Sequence, residues 1–486
     1  LFKLHFLLAL FLLASSDELS IKRRTGVVEL PAGLVEVSSE ILIPANAHDL
    51  EIRGAKGGTF LRATPGFQGR AIFVVSGGKN IVFRDFEVVG SRGALTANPP
   101  QGLAPDDVPF SRFTRNSGIL AENTKGLTVS NIKMREIAGF AVLVSHASEV
   151  KIERVSVQDS GSANAKKRNN GTGGILLEEA TTDFEVTDCT LKNILGNGIW
   201  THSLYQSPRN ARGLFKNNKV EYVGRDAFQV GHAVGVRVEG NTADAIGFPV
   251  EAVDMEHGAI PVALDTAGNT EQSLYLDNHF SEINGKCIDL DGFHDGEIRG
   301  NFCENELPPD AYKYGNYGIV MNNSNPDMNS RNIVITGNTI DGTMFGGIYV
   351  IGTGNTITRN RLYHINIAHC PEMAALYGCY LGADELDILR TGIYLGRGAH
   401  RPDIARGNIV EDNTINGYGM GAHCLGVAPG VTLEANRVAR NECSDDVPVN
   451  ARNRVHKFPV RNPVETVEPQ ELAVPPGRIE PSGQYR

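Results

Sequence analysis

Tryptophan is nearly missing from this sequence, with Trp200 alone among 486 residues. Basic charge is also in deficit: 46 Lys and Arg face 56 Asp and Glu, a formal charge of −10. A surface built to neutralise phosphates needs the opposite balance, so no nucleic-acid partner is expected. Beyond the N-terminus, no apolar run is long enough to cross a bilayer, and no membrane span is expected. Helical periodicity is lacking along the body of the chain. The cysteines number seven, so at least one thiol stays unpaired within the chain, and no fixed disulfide framework can be read. What is plentiful is glycine, at 54 residues, a turn-rich composition that suits many short strands.

The N-terminus carries Lys3 and His5, then the apolar run Phe6 to Ala14. Residues 1–16 read as a signal peptide cleaved near Ala14-Ser15-Ser16, which predicts a secreted or periplasmic protein. Residues 17–443 then carry a repeat, and residues 444–486 a tail that is Pro-rich and charged from Val447 on.

The repeat is a short strand written small, aliphatic, any, aliphatic. It appears at Gly118-Ile119-Leu120-Ala121, Ala141-Val142-Leu143-Val144, Gly174-Ile175-Leu176-Leu177, Gly198-Ile199-Trp200-Thr201 and Ala227-Phe228-Gln229-Val230. It returns at Cys287-Ile288-Asp289-Leu290, Gly318-Ile319-Val320-Met321, Gly347-Ile348-Tyr349-Val350 and Gly392-Ile393-Tyr394-Leu395. Most steps run from 23 residues (Ile119 to Val142) to 33 (Val142 to Ile175). The step from Phe228 to Ile288 is 60, which splits in two if Val253-Asp254-Met255-Glu256 is a strand. Asn recurs in a second register at Asn241, Asn301, Asn338, Asn360, Asn413 and Asn436, where it suits a tight turn and can form a side-chain ladder. A period of this length is the mark of a solenoid.

Over roughly residues 25 to 443 these rungs and this ladder resemble the pectate-lyase-like superfamily of right-handed parallel β-helices. The resemblance implies an all-β solenoid of about eleven or twelve rungs, with Ile119, Val142, Ile175, Ile199, Phe228, Ile288, Ile319, Ile348 and Ile393 in one internal column. The opening Val27 to Gly33 looks like a capping segment. Three polar stretches interrupt the rhythm, at 92–116, 161–173 and 364–387, and could wall a groove. The last encloses Cys370 and Cys379, an expected disulfide. Cys189, Cys303 and Cys424 read as unpaired core residues. Asn170-Gly171-Thr172 is a glycosylation sequon, of consequence in a eukaryotic secretory pathway.

Enzymes of that superfamily bind glycans on the outward side of this strand, so the alternate positions are the informative ones. Down the stack these are Leu176 and Glu178, Trp200 and His202, Gln229 and Gly231, then Asp254 and Glu256. Asp289 and Asp291, Val320 and Asn322, Tyr349 and Ile351, Tyr394 and Gly396, and His423 complete the series. Neighbouring rungs lie about 4.8 Å apart and residues i and i+2 about 6.7 Å. Asp254, Glu256, Asp289 and Asp291 are therefore expected to form a rectangle of carboxylates that must share protons, meet a base or hold a cation. They are the candidate catalytic groups, with His202 and His294 beside them. Trp200, Gln229, Asn322, Tyr349, Tyr394 and His423 are candidate glycan contacts.

Four functions fit. A glycoside hydrolase acting on a polysaccharide or oligosaccharide leads, using two carboxylates. A lyase would bind Ca²⁺ through Asp254, Asp289 and Asp291 and need a basic proton acceptor; Arg225 and Lys286 only border the strands. Gly292-Phe293-His294-Asp295 resembles the His-Asp motif of β-helix mannuronan epimerases without its Pro. A non-catalytic glycan-binding or adhesin β-helix is the last. The tandem-Asp and Gly-His-Gly signatures of polygalacturonases are absent; Gly231-His232-Ala233 comes nearest.

Overall fold

A computed structural model describes residues 19–95, 108–254, 260–372, 379, 387–399 and 401–446. The expected signal peptide, Glu256 and the tail beyond residue 446 lie outside them. The chain divides into two compact units, Leu1–Glu221 and Tyr222–Arg486, each a right-handed parallel β-helix. No helix among the described residues is long and apolar enough to cross a membrane.

In the first unit one internal column runs Ile41, Phe73, Ile119, Val142, Ile175, Ile199, each in register with the next on parallel strands. A second runs Val28, Ile52, Phe83, Val129, Ile152, Val186, Phe215. In the second unit the matching column is Phe228, Leu264, Ile288, Ile319, Ile348, Ile393, Leu425. From Ile119 to Ile393 these first-strand residues are fully buried. Full burial of such an aliphatic side chain stabilises by about 1.5–3 kcal/mol, which is why the alternation of the sequence fixes which residues face inward. The two first-strand columns hold six and seven positions among the described residues, close to the eleven or twelve rungs expected.

The strand between Phe228 and Ile288 is Val262–Ala267, not the segment around Asp254. Pro249 instead leads into the short 3-10 turn Val250–Ala252, and Asp254 follows it as a buried residue outside any strand. Both segments match the small-aliphatic pattern. Only Val262–Ala267 is followed at once by a turn, at Gly268, then by the short strand Thr270–Glu271, the strand Leu274–Leu276 and its ladder residue Asn278.

The Asn ladder of the second unit runs Asn241, Asn278, Asn301, Asn338, Asn360, Asn413, Asn441, each Nδ2 donating to the next Oδ1 at 2.9–3.0 Å. The backbone N–H of each residue donates to the same oxygen. The second amide proton of Asn278, Asn301, Asn338, Asn360 and Asn413 reaches a strand carbonyl, which leaves these buried polar groups satisfied. Asn436 belongs to a different, shorter ladder with Asn408 and Asn355.

Cys370 and Cys379 are bonded, as expected from the sequence. Cys303 and Cys424 are not unpaired: they bond Cys287 and Cys443, 16 and 19 residues away in sequence. Cys189 alone is free, and burial pushes its thiol up to about 12. The sequon is closed off, because Asn170 is buried with Nδ2 on Ser162 and Oδ1 on Thr172.

Candidate active site

The second unit carries the carboxylates. Asp265, Asp289 and Val320 stand in register on the strands Val262–Ala267, Lys286–Asp291 and Tyr317–Asn322, with Gln229 before Asp265 and Tyr349 after Val320. Asp265 takes the place expected for Asp254. Its Oδ2 accepts from Gln229 Nε2 at 2.8 Å. Burial pushes the Asp265 carboxyl well above its ordinary range, and Asp226 and Asp289 push it further. Asp226, just before the strand Phe228–Gly231, accepts the Val262 N–H at 3.0 Å. Burial raises it to about 6 despite the pull of Arg225.

Lys286 supplies the countercharge. Its ammonium pairs with Asp289 Oδ2, while Asp289 Oδ1 is buried and accepts no hydrogen bond from the described residues. Burial works to lower the Lys286 pKa, but Asp289 first, and then Asp265 and Asp291, outweigh it and hold the amine protonated. The sequence placed Lys286 at the border of the strand; its flexible stem brings the charge into the cluster. Asp291 is differently engaged: Oδ1 accepts from the Ser324 N–H at 2.8 Å and Oδ2 from its hydroxyl at 2.6 Å. Burial raises it to about 6 against those bonds. A calcium ion wants six to eight oxygens around it. Here the ammonium already takes the cation's position at Asp289, Asp254 stands outside the strands, and the carboxylates do not fit that ion.

The remaining candidates divide. Gln229 is on the site through Asp265, and Asn322 stands in register with Asp291. Tyr349 and Tyr394 stack on each other, centroids 6.0 Å apart and 14° from parallel. Tyr394 is 1% exposed and offers no ring face to a ligand. A Cβ on Gly396 would lie 2.5 Å from the Tyr349 ring, so the glycine is what lets that ring settle. His423 is not on a strand: it ends the helix Met420–His423, and Gly426 occupies the position opposite Tyr394. The preceding Gly419, at φ 73°, turns the chain out of the rung. His294 lies on the separate strand Phe293–His294, its ring nitrogens bonded to Asp295 at 2.7 Å and Asn269 at 2.9 Å.

Trp200 and His202 belong to the first unit, on the strand Ile199–His202. Trp200 does point outward, yet it is 1% exposed because Phe110 from the first insertion lies against it. It is covered rather than displayed. His202 stands in register with Glu178.

A family model described as the right handed beta helix region matches residues 66–243 and 164–362. The chain belongs to the right-handed β-helix family. Among solved structures, this β-helix is similar to an N-terminal fragment of bacteriophage phi29 gene product 12, at 14% identity and TM-score 0.55, over 85% of this chain and 67% of that one. It is similar to the catalytic domain of a GH87 α-1,3-glucanase in complex with tetrasaccharides, at 12% identity and TM-score 0.51, over 71% of this chain and 61% of that one. PfbA, a surface adhesin of Streptococcus pneumoniae, aligns at 11% identity and TM-score 0.48 over 69% and 82%. At such identities the likeness is one of fold. No curated protein matches the sequence.

Proposed function

We propose that this β-helix is an exported glycoside hydrolase that cuts a polysaccharide at the Asp265–Asp289 pair. The observation that carries the reading is the division of labour between two carboxylates in register. Asp265 is driven toward its protonated form by burial and by neighbouring Asp226 and Asp289, the condition of a general acid. Asp289 has one oxygen on the Lys286 ammonium, and the other, Oδ1, accepts no hydrogen bond among the described residues. In this reading Asp289 acts on water or on the anomeric carbon while Asp265 protonates the leaving oxygen. Gln229 orients the acid, and Lys286 offsets the charge of the pair. The disulfides Cys287–Cys303, Cys370–Cys379 and Cys424–Cys443 support export to an oxidising compartment.

Against a lyase, Lys286 is held protonated by its carboxylates, whereas a proton-abstracting lysine must be neutral. Against epimerisation through His294, both its ring nitrogens are already bonded. The test is incubation with neutral and acidic glycans, reading reducing ends together with the ultraviolet band of unsaturated uronate. Reducing ends without the band support hydrolysis. Both together would replace it by a lyase, and neither would leave a glycan binder.

A further inference from the structure

Glu178, in the first unit, takes no part in the reaction proposed above, yet it is a wholly buried carboxyl. It ends the strand Ile175–Glu178, beside an outward row that is apolar instead of polar. Val74, Leu120, Leu143, Leu176 and Trp200 follow one another in register along that row. Outward-facing side chains of this kind need cover, and each is 2% exposed or less. Phe110 supplies much of it, with ring centroids 5.2 Å from Trp200 and 5.6 Å from Phe140.

The cover is fastened at one place. Phe110 opens the short helix Phe110–Phe113, whose first two N–H groups both donate to the Glu178 carboxyl: Phe110 to Oε2 at 2.9 Å and Ser111 to Oε1 at 2.8 Å. These donors stand 68 and 67 residues away in sequence, so the bonds tie an insertion to the face and are not local. Ser145, on the strand above, and His202, on the strand below, flank Glu178 in register. Glu179 follows it, with Oε1 accepting the Leu204 N–H at 2.6 Å. His146 is bonded to Ser145, and Arg112, the helix's own charged residue, is exposed.

We propose that Glu178 is a pH-sensitive latch, whose ionisation releases the Phe110–Phe113 segment and uncovers the apolar row that ends in Trp200. The sign follows from the environment. Burial raises the Glu178 carboxyl to about 7, the bonds from Ser111 and Phe110 opposing it only in part. Released into water, the group returns toward the ordinary range of a glutamate. The fastened form therefore binds the proton more tightly, is fully favoured below about pH 4.5, and is weakened as pH rises through about 7. The opening constant should grow on the order of a hundredfold across that window.

Trp200, the single tryptophan of the sequence, reports on the cover. In the full chain, acrylamide quenching of its fluorescence should rise between pH 5 and 8.5 with a midpoint near 7, and Glu178→Gln should remove the step while circular dichroism stays unchanged. His202 lies beside the indole and could itself quench when protonated, so His202→Gln is the control and should keep the step. Amide exchange at Phe110 and Ser111 in the unmutated protein should accelerate, relative to other buried amides, over the same range. Quenching and exchange that stay flat with pH, or a step that survives Glu178→Gln and vanishes in His202→Gln, would overturn the proposal.

Discussion

Asp265 and Asp289 occupy the same register position on adjacent parallel strands, and Lys286, three residues before Asp289, closes an ion pair with one oxygen of the second carboxylate. The pair is thus set by strand register, the most rigid geometry that a solenoid offers. Asp226 and Asp291 border it, each held by a hydrogen bond to a neighbouring rung.

If this pair performs the cleavage, Asp265→Asn and Asp289→Asn will each lower turnover on a responsive glycan by at least about tenfold, a barrier increase of about 1.4 kcal/mol. Asp291→Asn should do less, because both its oxygens are engaged by Ser324. Initial rates of reducing-end release, with circular dichroism to confirm folding, decide it. Full activity in both of the first two variants would move the active face elsewhere.

Lys286→Met strands a buried carboxylate. Breaking such a pair costs about 3–5 kcal/mol because the remaining charge has no partner. The double variant Lys286→Met with Asp289→Asn should recover part of that loss, since it removes the stranded charge. Urea unfolding of the single and double variants measures the difference. A double variant no more stable than Lys286→Met alone would mean that the ion pair is not the reason for the loss.

Acid pH should favour the folded state at this site. Asp226 and Asp291 have folded values of about 6, above the ordinary 3.8, so the folded chain holds more protons between those limits. Their contribution therefore falls as pH rises from about 4 to about 6, each by about 3 kcal/mol at most. Melting temperatures of the parent and of Asp226→Asn and Asp291→Asn across pH 4 to 7 test this. Each variant should flatten the slope, and an unchanged slope in both would show that other groups set it.

Asn338→Ala removes an amide that bonds both neighbours of the ladder and the Ile298 carbonyl. The unsatisfied buried groups left behind should cost about 1–3 kcal/mol each. Asn441→Ala, at the last ladder position of the described chain, leaves fewer behind and should cost less. Chemical denaturation of both variants would show the ordering, and equal losses would argue against a cooperative stack.

Much of the fold was legible because alternation with a period of two, repeated at rung spacing, admits few architectures. Ile119, Val142, Ile175 and Ile199 stack as their pattern predicts. The site was half legible. Asp289 and Asp291 sat on a clear rung, whereas Ala252-Val253-Asp254 and Ala263-Leu264-Asp265 wrote the same local pattern. Choosing between them required the turn and ladder residue that follow a true rung. The role of Lys286 is not legible in strand alternation, which says where a Cβ points, not where a long side chain ends. The covering of Trp200 is likewise not legible, because periodicity gives the outward direction and is silent about what an insertion lays on top.

The Asn ladder shows where this architecture permits growth. Asn338 and Asn360 are 22 residues apart and Asn360 and Asn413 are 53, yet the two amide bonds measure the same 3.0 Å. The longer stretch of chain between the second pair leaves the stack undisturbed. Such a scaffold separates two kinds of inheritance: the ladder and inward columns must be kept position by position, while the loops that edge the outward face can lengthen, shorten or be exchanged. New recognition could then arise by grafting loops between ladder positions, at little risk to the rungs beneath.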